Sequence, residues 1–250
     1  YDAVSQPKIC NIGFVNAVVA GRINVGILVG GANTNVNLAA GLADTSRAWL
    51  KNIHVNGSVD GFDNVGGLVG QYIHTYAKAM KNIPMENISV TASLKIKKQG
   101  AKGALLIGSF EANLAGSIEF DDVVLEGAHE AAAEDIHAMS VMNVNSNMPA
   151  DDTHLFFGRC YYDKTKWTGE ETFSSKGLTS KEMTERNHFP DMEIKDKDAA
   201  QATWTLRKKP QLWFMATERM FIFSAGKYYV LDAGEWKEVF NRMPTLDEAQ

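Results

Sequence analysis

The residues of this 250-residue chain with the clearest chemical potential are its closely spaced carboxylates, Asp121-Asp122, Asp151-Asp152 and Asp60-x-x-Asp63. Two carboxyl groups in one groove can act as acid and base in glycoside cleavage, and a calcium ion beside a basic residue can serve lyase chemistry. Adjacent residues of a strand, however, point to opposite faces, so Asp121-Asp122 does not by itself form a dyad. Asp151-Asp152 follows Pro149 and has the character of a turn. Asp60-x-x-Asp63 lacks the dense oxygen spacing of calcium loops. The six histidines, His54, His74, His129, His137, His154 and His188, form neither HExxH nor an HxH pair. No serine sits in a GxSxG elbow, and neither GxxxxGK[ST] nor a strand-loop-helix GxGxxG occurs. The sequence therefore predicts no catalytic residue, no metal and no cofactor.

Binding chemistry is better represented. Trp49, Tyr72 and Tyr76 fall in or beside inserted segments, and Tyr161, Tyr162 and Trp167 come near the end of a repeated region. Exposed rings of this kind stack on sugars or anchor a protein partner. The competing expectation is that they cover the flank or end of a scaffold. Cys10 and Cys160 have no CxxC partner and stand near opposite ends of the repeats, so they are expected to be unpaired, small apolar residues. With 25 Lys and Arg against 30 Asp and Glu, the net charge is −5, and the cations are scattered. A nucleic-acid footprint needs concentrated positive charge, so no nucleic-acid partner is expected. No apolar run reaches the ~20 residues that cross a bilayer. Tyr1 opens the chain without a charged and then an apolar region, so any export signal is expected to have been removed or never present.

The elements that must position these residues are repeats. Val25-Gly26-Ile27-Leu28-Val29-Gly30 returns as Val65-Gly66-Gly67-Leu68-Val69-Gly70. Weaker copies are Gly103 to Gly108, Asp135 to Ser140 and Thr153 to Gly158. Ahead of them run Asn11-Ile12-Gly13-Phe14, Asn52-Ile53-His54-Val55, Asn87-Ile88-Ser89-Val90 and Asp122-Val123-Val124-Leu125. From the first apolar residue of each of these to the closing Gly or Ser of the next block is 18, 17, 20 and 17 residues. Alternating apolar residues predict half-buried strands. Gly26, Gly30, Gly66, Gly67, Gly70 and Gly108 suit tight corners through positive φ or close backbone approach. Asn11, Asn52, Asn87 and Asp122 share one corner register, where side chains of this type bond the backbone or stack into a ladder. Such units bury a continuous core only by stacking.

Between the blocks, Gln71 to Met80 places Tyr72, Ile73, Tyr76 and Met80 on one helical face, and Val36 to Trp49 and His129 to Asp135 suggest further short helices. Thr179 with Glu182 makes a capping box that starts a helix. Phe221 to Leu231 predicts two strands around a glycine turn, with Glu235 to Phe240 as a third.

These residues resemble the GLUG-repeat proteins, named for a Gly-Leu-apolar-Gly core, here Gly67-Leu68-Val69-Gly70. Cys160-Tyr161-Tyr162-Asp163, Gly177-Leu178-Thr179 with Met183, Trp204-Thr205-Leu206 and Pro210-Gln211-Leu212 resemble that family's usual ending. The resemblance spans roughly residues 9 to 212 and implies a right-handed parallel β-helix on a bacterial surface or secreted protein, with no catalytic residues to carry over. The expected fold is mainly β, a solenoid with irregular loop or helical insertions. Residues 1–170 form the helix, 171–212 a mixed cap and 213–250 a small β-rich tail. The expected role is a non-catalytic exported protein that presents loops for adhesion or ligand binding, its partner a glycan or a host surface protein. The alternatives are a carbohydrate-active β-helix enzyme and a structural segment of a larger surface or fimbrial assembly.

Overall fold

The computed structural model describes residues 9–35, 50–75, 83–112, 118–131, 135–144, 155–168, 175–190, 192, 194–195, 204–206, 210–212, 220–224, 227–232 and 235–240. The chain divides into two compact units, Tyr1–Met183 and Thr184–Gln250.

The first unit is built in tiers of three strands. They are β1 (Ile9–Ala20), β2 (Ile23–Val25) and β3 (Val29–Asn35); β4 (Leu50–Gly61), β5 (Asp63–Gly66) and β6 (Val69–Thr75); β7 (Ile83–Ile96), β8 (Lys102–Ala104) and β9 (Ile107–Ala112); and β10 (Ile118–Ala131), β11 (Asp135–His137) and β12 (Ser140–Val144). Each strand pairs in parallel with its counterpart one tier away, giving the sheet orders β1-β4-β7-β10, β2-β5-β8-β11 and β3-β6-β9-β12. Beyond β10 the first sheet continues with β13 (Leu155–Phe157), β14 (Cys160–Asp163) and β15 (Lys176–Leu178). The chain is thus mainly β with parallel sheets, an arrangement compatible with a β-solenoid.

Register follows the apolar alternation. Ile12, Ile53, Ile88, Val123 and Cys160 occupy one row across the first sheet, and Phe14, Val55, Val90, Leu125 and Tyr162 another. From the second tier onward these side chains are buried. A full burial of Val, Leu or Ile is worth ~1.5–3 kcal/mol, and a slip of one residue would turn the whole row outward. The second and third sheets add Val25, Val65 and Ile136, and Val29, Val69 and Ile107, to the same core.

Corner geometry is divided between two residue types. Asn11, Asn52, Asn87 and Asp122 all have left-handed φ, between 55° and 56°, and Asn16, Asn24 and Asn64 are left-handed too, at 57°, 58° and 51°. Asn and Asp tolerate that region best among non-glycine residues. None of the repeat glycines adopts it. They are needed for close approach instead: a Cβ on Gly66 would overlap the Val69 carbonyl oxygen, and one on Gly26 would come within 2.5 Å of the Val29 oxygen.

Four expectations change. Gln71 to Thr75 belongs to β6, so Tyr72 and Ile73 are strand residues and not one face of a helix. Tyr72 pairs across to Ala32 and Phe110, and this row of apolar partners outweighs the local helical pattern. His129 to Ala131 likewise continues β10. In the fourth tier Ile136, not Asp135, is opposite Gly103, and Ser140 is opposite Ile107 and not Gly108; the register then slips before Met142. Leu155–Phe157 pairs with Ile118–Phe120 in the first sheet, so it is no copy of the glycine corner. Val36 to Trp49, residues 76–80 and Asp151-Asp152 lie outside the described residues.

The capping box does form. Glu182 N–H donates to Thr179 Oγ1 at 3.2 Å, and Thr179 N–H donates to Glu182 Oε2 at 2.7 Å. It opens only a three-residue 3-10 turn, Glu182–Thr184. Because β15 pairs with β14, residues 175–183 belong to the first unit. In the second unit, β16 (Ile194–Lys195), β17 (Trp204–Leu206) and β18 (Pro210–Leu212) make one small sheet. An antiparallel meander of β19 (Met220–Ser224), β20 (Lys227–Asp232) and β21 (Glu235–Phe240) makes another.

Candidate functional site

The acidic pair Asp121-Asp122 lies at the corner where the asparagine ladder ends. Asn52 Nδ2 donates to Asn11 Oδ1 at 2.7 Å, and Asn87 Nδ2 donates to Asn52 Oδ1 at 2.9 Å. Asp122 takes the fourth rung, between the pairs Asp121–Glu86 and Val123–Ile88. An aspartate has no amide to donate, and Arg159, which directly precedes β14, answers its charge. The guanidinium reaches Asp121 Oδ2 at 2.5 Å and Asp122 Oδ1 at 2.7 Å, and the Arg159 N–H donates to Asp121 Oδ1 at 3.1 Å. Burial pushes the Asp122 carboxyl up to about 6; Arg159 opposes this, while Asp121 and Glu86 add to it. The cluster fastens β14 to β10 and sets both carboxylates against one guanidinium. Glu86 in turn pairs with Lys51 at 2.7 Å.

A second ladder went unforeseen. Asn64 Nδ2 donates to Asn24 Oδ1 at 2.8 Å, and Asn24 Nδ2 donates to Gln71 Oε1 at 2.9 Å. The common spacing of Asn24 and Asn64 ahead of the Val-Gly blocks was the available signal.

Asp60 and Asp63 are occupied rather than poised for calcium. Asp60 pairs with Lys97 and Asp63 with Lys98, each at 2.6 Å. Asp63 also accepts the N–H groups of Asn64 and Lys102. Burial works against ionisation there, but Lys98 and the backbone donors together hold its carboxyl below the usual range. Another buried pair, Glu126 and Asp163, follows the Leu125–Tyr162 match on neighbouring strands. Distance in sequence concealed it. Glu126 forms an ion pair with Lys166, while Asp163 accepts from Ser180 Oγ at 2.7 Å and the Thr165 N–H at 3.0 Å. Among the described residues no group of three His, Cys, Asp or Glu side chains is placed to hold a metal ion.

Three described histidines have structural surroundings. His54 lies beside Ser89, with Nδ1 and Oγ 3.2 Å apart, and burial lowers its pKa to about 4. His129 meets Trp167 edge-on, centroids 4.7 Å apart, and His188 contacts Glu185. The cysteines are both free: Cys160 is buried, as expected, and Cys10 is half-buried.

Of the aromatic candidates, Tyr72, Tyr161, Tyr162 and Trp167 are all buried, contrary to a ligand-stacking role. Tyr72 stacks on Phe110 at 5.6 Å between centroids, and Trp167 belongs to the apolar core and meets His129 edge-on. Tyr72 and Tyr162 lie in apolar rows of the core, whereas Tyr161, next to Tyr162 on β14, is buried on the opposite face of the strand. Trp49 and Tyr76 lie outside the described residues. Among the described residues the exposed large apolar side chains are Val15, Val18, Ile23 and Phe62, three of them in the first tier.

One feature of the chain's layout bears on binding. Strands of the same tier are joined by short links, such as Gly21-Arg22 between β1 and β2 or Gly67-Leu68 between β5 and β6. The connections that leave the third sheet and enter the first, residues 36–49, 76–82, 113–117 and 145–154, are the most variable, at 14, 7, 5 and 10 residues. Among the described residues no helix is long and apolar enough to cross a membrane. Comparison with protein-family models, with curated proteins and with solved structures gave no match to this chain.

Proposed function

We propose that this chain is a non-catalytic right-handed parallel β-helix of the GLUG-repeat type, exported to a bacterial surface, that presents its inter-tier segments for adhesion or glycan binding. The observation that carries the reading is the placement of length variation. The connections from the third sheet to the first are 14, 7, 5 and 10 residues long, whereas the links from the second sheet to the third keep two or three residues and those from the first to the second one to five. Binding residues concentrate on loops held by a rigid scaffold. The engagement of Asp60, Asp63, Asp121, Asp122, Glu126 and Asp163 by cations or hydrogen-bond donors supports the non-catalytic part. The Gly67-Leu68-Val69-Gly70 block supports the family.

The test is a glycan-array screen of the purified chain, followed by incubation with each bound glycan and analysis for cleavage products. Binding without turnover, lost when residues 36–49 or 145–154 are replaced by a short Gly-Ser linker, is the expected result. Cleavage products would overturn the non-catalytic reading, and binding that survives every loop replacement would overturn the presenting role.

A further inference from the structure

We propose that Phe62 and the turn at residues 97–101 form a binding site for a saccharide that carries carboxylate groups. The link from the first sheet to the second is two residues long in the first tier and one in the second, Phe62 itself, but five in the third. An insertion at an otherwise tight corner is where a rigid scaffold carries recognition. Lys97, Lys98, Gln99 and Gly100 are all exposed. The Ala101 N–H donates to the Lys98 carbonyl oxygen at 3.2 Å and closes the turn, with Gly100 at a φ of 69°.

The turn leans back on the second tier. Lys97 N–H donates to the Gly61 carbonyl oxygen at 3.0 Å, and its ammonium stands 5.8 Å from the centroid of the Phe62 ring, within reach of a cation–π contact. Asp60 holds Lys97 and Asp63 holds Lys98, each at 2.6 Å, so carboxylates two residues before Phe62 and one after it fix both ammonium groups. An ammonium has three donors, and these pairs leave N–H groups for a ligand. Exposed Arg22, whose carbonyl oxygen accepts the Phe62 N–H at 2.9 Å, brings a third cation from the neighbouring tier. Phe62 is 45% exposed, and it is the one aromatic among the exposed large apolar side chains of the described residues. It belongs to the second tier, which has a tier on either side.

Ring and cations together select the ligand. An aromatic face receives the apolar C–H face of a pyranose, and ammonium groups already held in place receive an anion without the cost of ordering them. A sugar acid carries both features in one residue. A neutral sugar would leave the lysines unused. Nucleic acid, with a phosphate at every nucleotide, needs a longer basic track than three cations on a chain of net charge −5. This corner is separate from the segments that join the third sheet to the first, so acidic glycans bound here survive replacement of those segments. The presenting role of the segments is then judged on the glycans that Phe62→Ala leaves bound.

Isothermal titration of the full chain with oligomers of galacturonate, mannuronate and hyaluronate, and with neutral maltooligosaccharides as controls, tests the site. At least one acidic oligomer should bind, the neutral ones should not, and binding should weaken as salt rises. Phe62→Ala and Lys98→Gln should each raise the dissociation constant ~10-fold or more. Both side chains are exposed, so circular dichroism and melting temperature should match the parent's. Replacing residues 145–154 by a short linker should leave acidic binding unchanged. No binding to any of the acidic oligomers, equal binding of the neutral controls, acidic binding undiminished in Phe62→Ala, or its loss on that loop replacement would each overturn the proposal.

Discussion

Replacing Asp122 by asparagine tests the account of the ladder and of its charged end together. In the native chain Asp122 holds the left-handed φ of 55° that its counterparts Asn11, Asn52 and Asn87 hold, but its carboxyl is raised from the usual 3.8 to about 6. At 1.36 kcal/mol per pH unit, that rise corresponds to ~3 kcal/mol. The side chain keeps 14% of its exposure, and solvent screening reduces the figure to ~1–2 kcal/mol. The sign is a penalty on the folded state. Below pH 3.8 the group is neutral in both states and contributes nothing; above about 6 it is ionised in both and the penalty is complete. Asp122→Asn removes the charge, retains the tolerance for left-handed φ and provides an Nδ2 to donate to Asn87, as Asn87 donates to Asn52. Arg159 keeps its contacts with Asp121. Urea unfolding followed by circular dichroism should find the variant ~1–2 kcal/mol more stable at neutral pH, with the difference closing near pH 4. A variant no more stable than the parent at neutral pH, or a gap that does not change with pH, would refute the reasoning.

Other positions give sharper local tests. Asn52→Ala loses the hydrogen bonds to Asn11 and from Asn87 and forces alanine into φ 55°, so it should cost ~2–4 kcal/mol, against ~1–2 for Asn52→Gly, which keeps the conformation. Equal losses in chemical denaturation would remove backbone strain from the account. Gly66→Ala, whose Cβ would overlap the Val69 carbonyl, should lose ~2–3 kcal/mol and melt several degrees earlier; an unchanged melting temperature contradicts the close approach. For His54, with its pKa lowered from 6.5 to about 4, the unfolded chain takes up a proton across that window while the folded chain does not. Stability therefore falls as pH drops through it, His54→Gln should flatten the loss, and an NMR titration midpoint near 6.5 would show the site to be solvated.

Much of the first unit was legible because its signals are local and repeated. Ile53-x-Val55, Ile88-x-Val90 and Val123-x-Leu125 alternate at the strand period, and four Asn or Asp residues recur at one offset from them. Where a tier lost a residue, at Ser140, spacing misplaced the partner by one, because the bulge that absorbs the loss exists only in the paired sheet. Tyr72 shows the other kind of miss. Its neighbours Ile73 and Tyr76 suggested a helical face, but the partner that decides its conformation is Phe110, many residues away.

The candidate site divides along the same line. Short-spacing motifs for metals, nucleophiles and nucleotides could be looked for in the residue types alone, since they depend on neighbours along the chain. Pairing Arg159 with Asp121 and Asp122, joining Glu126 to Lys166, and burying Tyr161 and Tyr162 were decided by tertiary structure. A parallel tier brings each residue beside one a full repeat away, and repeats of unequal length hide that partner from any fixed spacing. Periodicity along the chain therefore determined the strands and their corners, whereas the neighbours across the sheets, and with them every charge pairing and buried ring, came only from the stacking of tiers.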